Sequence, residues 1–357
     1  MKIIHTGDIH LGSPFKNLSA DKAKIRKQEL LDSFFKLCAY AKETGVRAVC
    51  ISGDLFDENA VAGSLKEAVF SAIERAKPVC FFYVSGNHDE CVSFDSAPDN
   101  LYTFSDSGAW KSYDLGEGVL VTGLHTKYFS GENFSALTLP VDAFNLLLLH
   151  GDIYNRSKEF IPFHLLETKP VDYLALGHIH KPMLSSERIG LRGVYRYCGC
   201  LEPRGFDEAG ARGFFLLDIQ NRHLREEKFL SFATRGVWEI AVDISACATY
   251  QDIESAVKAC VQNIKKDDMV KIVLCGRYSA QLKKDISLLQ ERLNGAFFSA
   301  RVEDTSRLEF SYRDFENDYT ERGEFVREVL RADLPDERKE SVLEVGLKAL
   351  MGEEIDL

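Results

Sequence analysis

Val79-Cys80-Phe81-Phe82-Tyr83-Val84-Ser85-Gly86-Asn87-His88-Asp89 is an apolar run of strand length that ends on a glycine and three polar side chains able to hold a metal or a proton. The same arrangement recurs at four other places. Lys2–Thr6 runs into Asp8-Ile9-His10, Val46–Ser52 into Gly53-Asp54, Asn145–Leu149 into His150-Gly151-Asp152, and Tyr173–Leu176 into Gly177-His178-Ile179-His180. Five of the nine histidines fall in these clusters. A single Asp-x-His or Gly-Asp is usually a solvated turn. Five clusters in order, each after an apolar run, supply the carboxylates, imidazoles and amide of a two-metal hydrolytic centre.

Between the strands the apolar spacing changes to that of helices, over Asp21–Thr44, which Gly45 ends, and over Ala62–Ala76. Apolar strands alternating with helices predict a sheet covered on both faces. After Asn87 the strands shorten (Leu101–Thr103, Trp110–Asp114, Val119–Gly123), and Leu191–Tyr197 and Gly213–Asp218 alternate more. The pattern predicts an α/β fold in which a two-layer mixed β-sheet core is flanked by helices, over residues 1–230. A junction near Phe229–Gly236 opens a small α/β domain over 231–304, built from Val237–Val242, Tyr250–Ile264, Met269–Cys275, Leu282–Arg292 and Phe297–Val302. Residues 305–357 read as a charged linker and two amphipathic helices, Glu321–Leu330 and Arg338–Met351. The second gathers Val342, Val345, Leu347, Leu350 and Met351 on one face.

The composition bounds the rest. The 357 residues suffice for one large core and a second small one, and no apolar run approaches the length of a membrane span. The start, Met1–His5, lacks the basic and apolar segments of a signal peptide, so a cytoplasmic protein away from membranes is expected. Nine cysteines, an odd number set mostly in apolar segments, read as reduced thiols. A net charge of -11 argues against a protein that coats nucleic acid with its whole surface. It leaves a nucleic-acid enzyme open, because a pair of bound cations offsets the carboxylates around them. Lys181–Arg212 concentrates basic residues, with Arg192, Arg196 and Arg204 as candidate phosphate or DNA contacts.

Residue chemistry distributes the ligands. Asp8 and His10, two apart after a strand, converge on one ion if the segment stays extended. Asp54 is the candidate bridge between the two ions. Asn87 offers a neutral oxygen to the second ion, His150 and His178 add nitrogens to it, and His180 turns to the first. His88 stands beside them, with Asp89 placed to orient it. So many imidazoles favour manganese, with iron, zinc or nickel as alternatives, over magnesium alone.

These clusters resemble the signature of the calcineurin-like metallophosphoesterases over roughly residues 1–220. Thr6–Gly12, Gly53-Asp54-Leu55-Phe56-Asp57 and Gly177–Pro182 are similar, more narrowly, to the DNA-repair exonuclease branch of SbcD and YhaO type. The resemblance implies Asp8, His10, Asp54 and His180 at one metal, Asp54, Asn87, His150 and His178 at the other, and His88 as the catalytic histidine. It also implies a capping role for the second domain, DNA as substrate, homodimerisation, and a coiled-coil ATPase partner docked on the C-terminal helices. Those helices could equally fold back on the chain's own core. Cys200 departs from the small polar residue expected at its place. Two other readings are kept: a phosphodiesterase or phosphatase of small molecules, and a non-catalytic scaffold.

Overall fold

The computed structural model describes residues 1–57, 61–104, 108–279, 282–309 and 318–351, which fold as two units divided between Val237 and Trp238. In the first unit the strands are β1 (Lys2–Thr6), β2 (Ala48–Ser52), β3 (Cys80–Val84), β4 (Leu101–Thr103), β5 (Lys111–Asp114), β6 (Val119–Gly123), β7 (Phe144–His150), β8 (Tyr173–Gly177), β9 (Glu187–Ile189), β10 (Gly193–Tyr197), β11 (Gly213–Gln220) and β12 (His223–Ser231). They form two sheets, ordered β12-β11-β1-β2-β3-β4 and β5-β6-β7-β8-β10-β9. β1 to β4 run parallel in the first sheet, as do β6, β7, β8 and β10 in the second; antiparallel strands lie at the edges.

Alternate side chains of each strand enter different cores. Ile3, Cys50, Phe82 and Val84 of the first sheet meet Leu146, Leu148, Tyr173 and Ala175 of the second, forming the layer between the sheets. Their neighbours Ile4, Val49, Ile51 and Phe81 face the other way, onto α1 (Ala20–Glu43) and α2 (Gly63–Arg75). Leu147, Leu149, Leu174 and Leu176 likewise face α3 (Gly131–Ala136) and α4 (Phe163–Leu166). Both faces of each sheet are thus covered, which is why the strands read as unbroken apolar runs. The mixed-sheet fold with flanking helices is as the sequence predicts. β12 was not foreseen: its charged residues hide its pairing with β11 and move the unit boundary from 230 to 237.

The second unit has β13 (Val237–Asp243), β14 (Met269–Cys275) and β16 (Ser299–Asp304) in one sheet, and the two-residue strands β15 (Arg277–Tyr278) and β17 (Arg307–Leu308) in another. A capping box between Thr249 and Asp252 starts α5 (Tyr250–Val261), and the Asp285 carboxylate caps α6 (Ile286–Ala296). α7 (Glu321–Arg331) and α8 (Asp336–Met351) send Val326, Val329, Leu343 and Leu347 into the same core as Val257, Ile272 and Leu289. The C-terminal helices therefore pack on their own unit. Val342, Val345 and Leu350 stay exposed, so the buried stripe runs through Leu343 and Leu347 and differs from the expected one. The Met351 side chain and residues 310–317 and 352–357 of the expected linker and helices lie outside the described residues. All nine cysteines are free thiols, and no described helix is long and apolar enough to cross a membrane.

Candidate metal centre

Parallel strands deliver their loops to one rim, and here two sheets share it. Asp8 and His10 follow β1, Asp54 follows β2, Asn87 and His88 follow β3, His150 ends β7, and His178 and His180 follow β8. The Asp8–His10 segment is not extended, as the sequence reading required. Asp8 and His10 take φ of 47° and 52°, Asp54 takes 47° and His178 99°. Asp8 N donates to Gly53 O, while Ile9 N and His10 N both donate to Asp54 O. These bonds hold a left-handed turn that swings both side chains to the rim.

Hydrogen bonds set the imidazole tautomers. His150 Nδ1 donates to the Ser52 carbonyl at 2.9 Å, leaving Nε2 unprotonated. Nε2 then faces Asn87 Oδ1 at 3.0 Å and Asp54 Oδ2 at 3.5 Å. His178 Nδ1 lies 3.3 Å from the same Asn87 oxygen. On the other side His10 Nδ1 is 2.8 Å from Asp57 Oδ1 and His180 Nδ1 is 2.6 Å from Glu208 Oε1. The two Nε2 atoms of His10 and His180 therefore confront each other across 3.2 Å, and His10 Nε2 is 3.6 Å from Asp54 Oδ2.

Lone pair against lone pair occurs at both ends of this rim, and opposed acceptors repel unless a cation lies between them. Two nitrogens bound about 2.1 Å from one cation would stand about 3.0–3.4 Å from each other. The donor set fits two divalent cations. Asp8, His10 and His180 form one group within metal-binding reach, and Asp8, Asp54 and His150 form another. Burial and the neighbouring Asp54 charge push the Asp8 carboxyl well above its ordinary value. Burial acts upward on Asp54 too, but His150, His10 and the His88 backbone amide hold it below. Burial lowers His10 to about 4 and also lowers His150, so both imidazoles are neutral and available as ligands.

His88 sits half-exposed at the rim, edge-on to His10 with ring centroids 4.8 Å apart. Its backbone N–H donates to Asp54 Oδ1 at 2.9 Å. Its Nδ1 stands 3.2 Å from the Asp57 carbonyl oxygen. The expectation that Asp89 orients His88 does not hold. The buried Asp89 carboxylate instead accepts from Gly86 N at 2.8 Å and Phe56 N at 3.1 Å, clamping the turn beneath the site. Burial and the Asp54 charge raise it to about 6.

Of the three arginines expected to meet phosphate, only Arg204 reaches the centre. Arg192 donates to the carbonyls of Val141 and Ala143 and to Asp172, near the starts of β7 and β8 and so at the far end of the sheet. Arg196 is buried over the Phe215 ring, its guanidinium on Glu227 at 2.9 and 2.7 Å. Neither is free for a ligand. Sequence reasoning missed Asp57 and Glu208. Asp57 sits within the quoted Gly53–Asp57 stretch, so spacing could have flagged it. Glu208 had no signal, because a carboxylate 28 residues beyond its histidine follows no local periodicity. Burial opposes its ionisation, but His180 and Arg204 outweigh it and bring Glu208 down to about 2.

Residues 1–182 match the family model for calcineurin-like phosphoesterase. The chain is 27% identical to the uncharacterized metallophosphoesterase YhaO of Bacillus subtilis over 302 residues, covering 77% of this chain and 72% of that protein. It is 24% identical to the DNA double-strand break repair protein Mre11 of Thermoplasma acidophilum over 94% of this chain and 90% of that protein. For the Mre11 of Methanopyrus kandleri the figure is 26%, over 64% of this chain and 56% of that protein. With the ligands of two cations brought to a rim shared by two sheets, and the model matched over half its length, the chain belongs to the calcineurin-like phosphoesterase family and its site is that of a metal-dependent phosphoesterase.

Proposed function

We propose that the chain hydrolyses phosphodiester bonds in DNA, as a repair nuclease, with manganese as its working cation. The observation that carries the hydrolytic part is Asp54 Oδ2, one oxygen facing His10 Nε2 at 3.6 Å and His150 Nε2 at 3.5 Å. A carboxylate so placed is shared by two ligand sets: Asp8, His10, Asp54 and His180, and Asp54, Asn87, His150 and His178. Bound there, two cations would supply Lewis acidity toward phosphate oxygens and lower the pKa of water toward neutrality.

The chain's own residues do the remainder. Glu208 fixes the His180 tautomer and the Ser52 carbonyl that of His150, while Asp57 places a carboxylate oxygen 2.8 Å from His10 Nδ1. The Asp57 carbonyl can only accept, so His88 presents its Nδ1–H there and keeps Nε2 for the substrate. As the imidazolium, with a second proton on Nε2, His88 hydrogen-bonds the phosphate from the rim as charge accumulates, or passes that proton to the leaving oxygen. Support for DNA comes from the relatives named for double-strand break repair, one of which aligns over 94% of the chain and so through the second unit. A small diester needs no such unit. We also propose that a coiled-coil ATPase subunit lies against the exposed Val342, Val345 and Leu350 of α8.

Incubating the manganese form with end-labelled single- and double-stranded DNA, and separately with bis-p-nitrophenyl phosphate, tests the reading. Both substrates should be cleaved. His88→Ala should keep two manganese equivalents and lose roughly 10²–10⁴-fold in turnover. Cleavage of the small diester with DNA intact would move the substrate class, and parent-like turnover in H88A would remove the role of His88. Full activity in magnesium with no gain from manganese would count against the metal.

A further inference from the structure

Arg204 is committed to two carboxylates at the centre. Its Nη1 donates to Asp57 Oδ1 at 2.9 Å, the oxygen that also lies 2.8 Å from His10 Nδ1. Its Nη2 lies 3.1 Å from His180 Nδ1 and 3.3 Å from Glu208 Oε1, the oxygen that stands 2.6 Å from that same nitrogen. The other Glu208 oxygen accepts the Arg204 backbone N–H at 2.6 Å and the Cys200 thiol at 3.5 Å. One guanidinium therefore spans two carboxylates, and each carboxylate stands against the Nδ1 of one of the two imidazoles that confront each other across 3.2 Å.

The loop that carries Arg204 is anchored from behind. Buried Arg26 of α1 donates to the Pro203 carbonyl at 2.6 Å and lies 3.5 Å from buried Glu202. Ser33 of the same helix donates to Glu202 at 2.6 Å. Residues 202 to 204 are thus pinned to α1, and the guanidinium is aimed inward.

We infer that Arg204 is a positioning residue: by bridging Asp57 and Glu208 it fixes His10 and His180 as a matched pair of ligands for one of the two cations, and leaves the other cation's ligands alone. The inference rests on the two-cation reading and goes beyond it. A fixed planar fork can hold two carboxylates at once, whereas a lysine ammonium is a point charge that cannot reproduce the span. Partners of metal-bound histidines typically change metal affinity by about 10–100-fold when removed.

Charge and span predict opposite results, which makes the test decisive. A guanidinium beside a cation repels it, so charge alone predicts tighter binding in Arg204→Met and parent-like binding in Arg204→Lys. Bridging predicts weaker binding in both. Full-length protein, stripped of metal, is titrated with manganese(II), the free ion being read by electron paramagnetic resonance. The parent should take up two equivalents. In R204K and in R204M one of the two should bind about 10-fold or more weakly while the other stays near the parent value. Tighter binding in R204M, parent-like binding in both variants, or equal weakening of both equivalents with a lowered melting temperature of the metal-free protein would each overturn the assignment. If R204M does not fold, R204K alone decides between the last two results and the expected one. A parent that binds fewer than two equivalents would instead remove the two-cation reading beneath it.

Discussion

Asp8, His10, Asp54 and His178 all take a positive φ, which costs a non-glycine residue on the order of 1 kcal/mol or more. Its concentration in ligands shows where the fold gives up local comfort. Gly86 marks the same crowding, since a Cβ there would lie 2.0 Å from Asp54 Oδ1. The ligand residues were legible in the sequence because strand ends are legible. Their partners were not. Asp89 adjoins His88 in the chain but turns beneath the site, while Asp57 and Glu208 reach the imidazoles through space. His5 belongs to this scale too. It is fully buried between the Tyr173 hydroxyl at 3.0 Å and the Ser52 hydroxyl at 3.3 Å, and burial brings it from 6.5 down to about 3. The unfolded chain then binds a proton below pH 6.5 that the folded chain refuses. Its contribution is complete above 6.5 and is lost, by about 1.4 kcal/mol per unit, as pH falls toward 3. Urea unfolding of metal-free protein at pH 7 and pH 5 should show a loss about 2 kcal/mol larger in the parent than in His5→Gln. Equal losses would mean that His5 is protonated in the folded chain.

Among elements, the parallel strands and α1, α2 and α5 were readable because periodicity and burial agree along their length. β12 was not, because its residues alternate between partial cover and solvent and carry charges on both faces. α8 was readable as a helix but not in its facing. Gly346 lets it approach the Phe325 ring of α7, where a Cβ would come within 2.1 Å of Cζ. That approach turns Leu343 and Leu347 inward and leaves Val342 and Val345 outside. The proposed ATPase contact is tested on this outer face, where substitution spares the core. Val342→Asp with Val345→Asp should change folding stability by within about 0.5 kcal/mol per site and should abolish co-purification with a co-expressed coiled-coil subunit. Retained co-purification would place the contact elsewhere.

At the scale of the molecule, each unit has a core of its own, and all the candidate ligands belong to the first. Those ligands come from the ends of both sheets and, with Glu208, from residues 8 to 208 of the chain. The consequence is kinetic. A centre assembled from ends so far apart in sequence exists only after both sheets have closed on each other, later than the contacts that nucleate folding. Cation binding then stabilises the native state without stabilising the barrier, so it belongs to the interactions that govern escape. In stopped-flow measurements manganese should slow unfolding in proportion to site occupancy and leave the refolding rate at its metal-free value. Refolding that accelerates with manganese would mean the ligands gather early. The cations act as a latch set last, lengthening the life of the native state without hastening its arrival.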